Sequence, residues 1–151
     1  MGSISIEIPM EKIASPSSVL KLSGAVVDAD GRQLAVPATV DHVEMRVAER
    51  VMQPSGNTVT LPEDASHFQV LAPEEYELYD EAQPAQAGIA KKPYTFLFQP
   101  DKNRRPFFPH PGIFEVHFRF IPKNDEEDFV ELLFICFVGG VVYPRKIEVS
   151  P

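Results

Sequence analysis

Hydrophobic and polar residues alternate along much of this chain, and the alternation predicts a series of β-strands. It is clearest over residues 113–121. One face of that segment carries Phe114, Val116, Phe118 and Phe120, and the other carries Glu115, His117 and Arg119. Because successive side chains of a strand point to opposite sides of a sheet, we expect the phenylalanine face to be buried and the charged face to point outward.

The same criteria predict strands in most of the chain. They cover residues 3–8, 19–27, 58–61, 67–71 and 94–98, and a long apolar strand is expected over residues 129–138. Gly139-Gly140 is typical of a two-residue hairpin turn, so we expect a return strand over residues 141–149. Together with the strand at 113–121, these segments would form an antiparallel meander.

Residues 38–52 fit two kinds of secondary structure. A strand would place Val43, Met45 and Val47 on one face, whereas a helix would align Val40, Val43, Val47 and Val51. Valine is a weak helix former because its branched side chain is restricted against the preceding turn, and it occupies every position of that helical seam. We therefore favour a strand here.

Two short motifs indicate local structure. Pro73-Glu74-Glu75 has the proline and the acidic residues of a helix start, so a short helix is expected over residues 73–82. Asp28-Ala29-Asp30-Gly31 has the residues of a tight turn. The remaining ligand positions of a calcium-binding loop do not follow it, so we interpret it as a turn.

The composition agrees with a β-rich domain. Proline accounts for 15 of 151 residues and is spread along the chain, which disfavours long helices. The length suits one domain with a sizeable core. We therefore predict a single domain over residues 1–151, an antiparallel β-sandwich with at most one or two short helices.

Two segments resemble known β-sandwich modules. Leu22-Ser23-Gly24-Ala25-Val26-Val27-Asp28-Ala29-Asp30-Gly31 is similar to the early "G-x-V-x-D-x-x-G" strand and turn of bacterial immunoglobulin-like and transthyretin-like modules, and Pro111-Gly112-Ile113-Phe114-Glu115-Val116 to their late "P-G-aromatic-x-V" strand. The resemblance covers about 16 residues and implies an immunoglobulin-like sandwich. It implies an architecture and carries no function.

The net charge of −8 restricts the expected partners. Affinity for nucleic acid and for anionic membranes depends on positive charge, so neither is expected to be a partner. A protein partner or self-association is expected, and a small ligand stays open. The start of the chain lacks the basic and apolar segments of a signal peptide, so we expect a cytoplasmic protein, or a component of an assembly made in the cytoplasm.

Catalytic and metal-binding motifs are not visible in the sequence. Cys136 is the only cysteine and lies in the apolar run Leu133-Phe134-Ile135-Cys136-Phe137, so it is predicted to be a buried thiol and no intrachain disulfide can form. The four histidines, at positions 42, 67, 110 and 117, lack the spacing of a zinc motif. We predict no catalytic residue, no cofactor and no metal site.

One segment carries the side chains that protein interfaces favour. Arginine and aromatic residues dominate interface energetics. They stand together within the proline-rich segment 101–112, and the predicted interaction residues are Arg104, Arg105, Phe107, Phe108 and His110. Lys102 adds a third cation. Basic residues beside aromatic ones are what a single-stranded nucleic-acid or anion site would use, and a loop that docks on an acidic partner needs the same residues.

Three functions follow from these observations. The first is a non-catalytic structural or protein-interaction module, an accessory subunit of a virion, a surface structure or a multiprotein complex. The second is a small-ligand or carbohydrate-binding module, against which the absence of tryptophan counts. The third is a small metal- or carboxylate-dependent enzyme.

The apolar strand over residues 129–138 raises a further question. Glu131 and Cys136 are its only polar interruptions, so both of its faces are apolar. A strand of this kind has to be covered on both sides, either by the rest of the chain or by another subunit.

Overall fold

The protein is a two-sheet β-sandwich. The computed structural model describes residues 3–52, 55, 58–60, 67–85 and 92–140. The strands in these residues are β1 (Ser3–Ile13), β2 (Leu22–Gly24), β3 (Val40–Met52), β4 (Thr58–Thr60), β5 (Gln69–Val70), β6 (Tyr76–Gln83), β7 (Tyr94–Phe98), β8 (Gly112–Pro122) and β9 (Phe129–Val138). The helical structure within the described residues consists of two 3₁₀ turns, Pro73–Glu75 and Lys102–Arg104.

The larger sheet has the strand order β1-β9-β8-β3-β4, and β5 also pairs with β3. Its pairs are antiparallel except for β1 and β9, which run parallel. The smaller sheet has the order β2-β7-β6 and is antiparallel throughout. The predicted mostly-β sandwich with few short helices is therefore confirmed.

Phenylalanine side chains join the two sheets. The ring of Phe96 on β7 lies 4.9 Å from that of Phe118 and 5.0 Å from that of Phe120, centroid to centroid. Phe118 in turn contacts Phe98 on β7 and Phe134 on β9. Edge-to-face pairs of this kind contribute roughly 0.5–1.5 kcal/mol each beyond the burial of their area. The alternation of β8 thus places its phenylalanine face in the core, as predicted.

Two helix alternatives are resolved in favour of strands. Residues 40–52 form β3, so the favoured strand is confirmed there. The predicted helix over residues 73–82 is wrong, because Pro73–Glu75 makes a single 3₁₀ turn and the chain continues as β6. The physical reason is a tertiary contact, since Glu75 is turned inward to pair with Arg104 and does not stay on an exposed helical turn.

Several strand limits differ from the prediction. β1 continues past Pro9 to Ile13, with a shift of its pairing between Ile8 and Glu11. A proline is tolerated there because β1 is the edge strand of the larger sheet. β2 spans only three residues of the predicted strand over 19–27, and β5 only two of that over 67–71.

The Asp28–Gly31 turn is confirmed. Gly31 has a φ of 83°, a conformation that glycine adopts without strain. Its amide donates to the Asp28 carbonyl at 3.0 Å, and the Asp28 carboxylate accepts the amides of Asp30 and Arg32 at 2.9 Å each. The aspartate therefore closes the turn with its own side chain.

The predicted return strand over residues 141–149 lies outside the described residues. Both edges of β9 are occupied, by β8 on one side and by β1 on the other. At Gly140 a β-carbon would lie 2.5 Å from the Cγ of Pro111, so a close approach explains this glycine. Gly139 donates its amide to the carbonyl of Ile13 at 2.7 Å.

The described part of the chain contains no helix with the length and apolar character needed to cross a membrane.

Candidate functional site

Two loops meet at one end of the sandwich. In the larger sheet, Ile13 at the end of β1 and Gly112 at the start of β8 both pair with Val138 of β9. In the smaller sheet, Leu22 at the start of β2 pairs with Phe98 at the end of β7. The β1–β2 loop (residues 14–21) and the β7–β8 loop (residues 99–111) therefore leave the sheets at the same end. We call this region the pocket end.

A buried carboxylate fixes the β7–β8 loop. Glu75 is 4% exposed, and its Oε2 accepts the Nε–H of Arg104 at 2.7 Å and the backbone amide of Asp101 at 2.8 Å. Its Oε1 accepts an Nη2–H of Arg104 at 3.0 Å. The Gln99 amide also donates to the Glu75 carbonyl at 2.8 Å. A bidentate arginine–carboxylate pair of this kind fixes the relative orientation of the two side chains as well as stabilising their contact. The loop is thereby held in one conformation.

The β1–β2 loop is braced by its serines. The amide of Ser18 donates to the Ser15 carbonyl at 3.1 Å, and the amide of Ser15 donates to the Ser18 hydroxyl at 3.0 Å. These bonds close a local turn around Pro16. Both walls of the pocket end are therefore ordered by contacts within the protein.

A pocket with a volume of about 110 Å³ lies between the two loops. Its walls combine apolar and charged side chains, and they include Val19, Leu20, Pro100, Lys102, Arg105 and Phe107. Val19 is 60% exposed, one of the most exposed large apolar side chains in the described residues. An apolar surface flanked by cations is thus open to solvent here.

Three of the five predicted interaction residues line the pocket, namely Arg104, Arg105 and Phe107. The other two, Phe108 and His110, do not. Arg105 is exposed at the pocket, Phe107 is half-buried at its wall, and Arg104 is committed to Glu75. Phe108 is 1% exposed and belongs to the core, so its ring is not available at the surface for contact with a partner. His110 lies away from the pocket lining, with its Nε2 3.2 Å from a carboxylate oxygen of Glu49. Lys102 and Arg105 have no side-chain ion-pair partner among the described residues.

Arg104 and Phe107 also border a wider and more open depression of about 450 Å³. It lies beside β3, and its other walls come from Met45, Arg46, Val47, His67 and Gln69. The smaller pocket is the more enclosed of the two and is bounded on both sides by braced loops.

The outer face of the larger sheet carries a charged network that the sequence pattern does not reveal. Glu115 and His117 point outward as predicted, but they are buried, at 6% and 9% exposure. Arg50 donates to the Glu115 carboxylate from Nε at 2.8 Å and from Nη2 at 2.6 Å, and Nε2 of His117 lies 2.9 Å from the same carboxylate. Nη2 of Arg46 lies 3.4 Å from that histidine nitrogen. Burial is the main cause that lowers the pKa of His117, and the positive charge of Arg46 lowers it further.

Phe68 covers part of this outer face. The guanidinium of Arg119 lies 3.8 Å from the centroid of the Phe68 ring and 4.9 Å from that of Phe129, and it also bonds Glu131. Phe68 stands edge-on to His117 at 6.4 Å. The chain itself therefore covers the Phe129 end of the two-sided apolar strand, through one aromatic and one arginine side chain.

The other candidate residues are accounted for by structure. Cys136 is fully buried in the core, and burial raises its pKa to about 12. His42 lies between the carboxylates of Asp41 and Glu44, at 2.8 and 3.1 Å, and the bond with Asp41 is the largest of the effects that raise its pKa. No group of three or more possible metal ligands occurs within the described residues.

The sequence matches no family model, no curated protein and no solved structure.

Proposed function

We propose that this protein is a non-catalytic β-sandwich module that acts by contact with another protein, as an accessory subunit of a larger assembly. The contact surface is the pocket end. The observation that carries this proposal is the brace of the β7–β8 loop by Glu75, because a loop held in one conformation loses little conformational entropy on binding.

The small size of the pocket favours a protein partner over a small ligand. The depression beside β3, at about 450 Å³, has the volume of a small-molecule site but is more open to solvent than the pocket. Sites for small molecules usually measure about 300–1,000 Å³ and enclose most of the ligand. A pocket of about 110 Å³ holds one side chain of a partner. Lys102 and Arg105 at its rim would then add electrostatic complementarity to an acidic surface.

The strand order supports the immunoglobulin-like part of this interpretation. In a variable-type immunoglobulin domain, strands B, E and D are successive neighbours in one sheet, and strands G, F, C and C′ are successive neighbours in the other. The order β2-β7-β6 corresponds to B, E and D, and the order β9-β8-β3-β4 corresponds to G, F, C and C′. The short strand β5 has no counterpart in this comparison. In this assignment the pocket end carries the A–B and E–F loops, whereas the binding loops of variable domains (B–C, C′–C″ and F–G) lie at the opposite end. The architecture therefore supports the sandwich fold, and the choice of the pocket end rests on its own loops and side chains.

Affinity purification of tagged protein from its natural host tests the proposed function. The wild type is compared with Lys102→Glu/Arg105→Glu and with the control Arg32→Glu/Lys123→Glu. The control changes the same number of charges at exposed positions distant from the pocket lining. We expect a partner that the wild type and the control retain and that the pocket-end variant loses. Equal recovery by all three proteins would contradict the assignment of this surface, and a strictly monomeric protein without partners would contradict the function.

A further inference from the structure

The pocket end combines features that define the chemistry of its partner. Its apolar lining includes Leu20 and Pro100, and its most solvent-exposed apolar side chain is that of Val19, at 60%. The ring of Phe107 is half-buried in the same wall. Phe107 is supported from behind by Phe98 and Phe108, with ring centroids at 5.7 and 5.0 Å. The apolar wall is therefore rigid and faces solvent.

The charged part of the pocket is positive. Lys102 and Arg105 are exposed and have no carboxylate partner among the described residues, whereas Arg104 is neutralised by Glu75. The one carboxylate in the lining, that of Asp101, accepts the amide of Asn103 at 2.8 Å. With the Arg104–Glu75 pair neutral and Asp101 counted against Lys102 and Arg105, the pocket keeps an excess of positive charge in a chain whose net charge is −8.

We infer that this pocket receives an aliphatic side chain of an acidic segment from a partner protein, with carboxylates next to that side chain bound by Lys102 and Arg105. The inference rests on the proposed function and names the partner's chemistry. The volume of about 110 Å³ lies below the roughly 150 Å³ of an apolar cavity that holds a benzene molecule, so a branched aliphatic side chain fits better than an aromatic ring.

A second copy of this chain is a poorer occupant. Its exposed acidic turn, residues 124–128, contains no aliphatic side chain. The next residue, Phe129, is held under the guanidinium of Arg119. The acidic edge strand β6 of the copy contains one branched aliphatic side chain, that of Leu78, which packs against the core of its own domain. Nucleic acid is disfavoured because two free cations neutralise few phosphates, and affinity for nucleic acid grows with their number.

Selection from a random dodecapeptide display library tests this inference. The purified wild-type protein is the bait, and enriched peptides are synthesised and measured by fluorescence anisotropy at low and at physiological salt. We expect enrichment of an aliphatic residue with acidic residues within three positions. Replacing that aliphatic residue of the peptide by alanine should weaken binding about tenfold, the effect of losing a buried branched side chain. Replacing its acids by lysine should abolish binding.

Two pocket variants and two matched controls locate the binding site. Val19→Ser and Lys102→Ala/Arg105→Ala should each lower the affinity about tenfold, and the second should also reduce its salt dependence. Val70→Ser, at a valine that is 64% exposed on β5, and Arg32→Ala/Lys123→Ala should bind as the wild type does. All six substituted positions are exposed, so none of these four variants should impair folding.

The outcomes distinguish this inference from the proposed function. Peptides that bind the pocket variants as tightly as the wild type would overturn the pocket assignment while a protein-interaction function stands. A consensus without acids, or no enrichment on the wild type over Lys102→Ala/Arg105→Ala, would also overturn it. So would light scattering that shows a wild-type dimer lost in the pocket variants, because the occupant would then be a second copy.

Discussion

The carboxylate of Glu75 and the guanidinium of Arg104 form a bidentate ion pair, with N–O distances of 2.7 and 3.0 Å, between the 3₁₀ turn that precedes β6 and the β7–β8 loop. The carboxylate is 4% exposed, whereas the Arg104 side chain is 36% exposed. The two partners are therefore not equivalent. Loss of the arginine leaves a charge in the interior, but loss of the carboxylate leaves a cation that can reach water.

Arg104→Ala should destabilise the protein by about 2–3 kcal/mol. Breaking a fully buried pair costs roughly 3–5 kcal/mol, and the partial exposure of Arg104 reduces that figure. Glu75→Gln should cost less, about 1 kcal/mol, because the amide oxygen can still accept the Asp101 amide. Urea unfolding of both variants measures the difference, and the reverse order of stability would refute this account of the brace.

Phe118→Ala should be among the most destabilising single changes in the core. Its ring is fully buried and contacts Phe96 and Phe98 of the opposite sheet and Phe134 of its own. Truncation of a buried phenylalanine costs about 3–5 kcal/mol.

Phe68→Ala provides the comparison on the outer face. This ring is only partly buried, so its loss should cost about 1–2 kcal/mol, through lost apolar burial and lost contact with Arg119. Guanidinium chloride unfolding of the two variants gives both values. A smaller effect at Phe118 than at Phe68 would mean that the two sheets do not depend on the aromatic cluster.

Local pattern was sufficient to predict most strands. The period-two alternation in β8 and the valine-rich sequence of β3 both specify extended structure, and both predictions were confirmed. The helix predicted over residues 73–82 failed because the signal at Pro73-Glu74-Glu75 is local. The ion pair that turns Glu75 inward joins residues that are 29 positions apart.

The site was only partly predictable for a related reason. Phe107 and Phe108 are neighbours in the sequence, and composition does not show that one ring lines the pocket while the other enters the core. Val19 was predicted as part of a strand, and its exposure follows from the late start of β2 at Leu22. The burial of Glu115 and His117 depends on Arg50 and Arg46 of β3 and on Phe68, which precedes β5.

His117 and His42 should titrate on opposite sides of the ordinary histidine pKa of 6.5. Burial and the charge of Arg46 lower the pKa of His117, whereas hydrogen bonds to the carboxylates of Asp41 and Glu44 raise that of His42. Two-dimensional NMR of the imidazole protons against pH, assigned with His117→Gln and His42→Gln, gives both midpoints. Equal midpoints would contradict the network on the outer face.

Cys136 should be inert in the folded protein. Burial is the main cause that raises the pKa of its thiol to about 12, and the negative charge of Glu11 raises it further, so almost no thiolate exists at pH 8. Labelling with a chromogenic disulfide reagent should be more than about 100-fold slower in buffer than in 6 M guanidinium chloride, since only the thiolate reacts. Rapid labelling of the folded protein would show that the core near β1 and β9 opens readily.

The lowered pKa of His117 also predicts how stability depends on pH. Its pKa in the unfolded chain is near 6.5 and its pKa in the folded protein is lower, so between these two values the unfolded chain binds more protons. The contribution of His117 to the free energy of unfolding should therefore rise as the pH increases through that interval and level off above pH 6.5.

The contribution of His42 should depend on pH in the opposite direction. Because the pKa of His42 is raised in the folded protein, its contribution is complete below pH 6.5 and is lost as the pH rises through the pKa of the folded state. Urea unfolding from pH 5 to pH 8 should show a shallower acid slope for His117→Gln than for the wild type, and a smaller loss of stability above pH 6.5 for His42→Gln. If the free energy of unfolding of His117→Gln falls below pH 6.5 as steeply as that of the wild type, other groups are responsible for the loss of stability in acid.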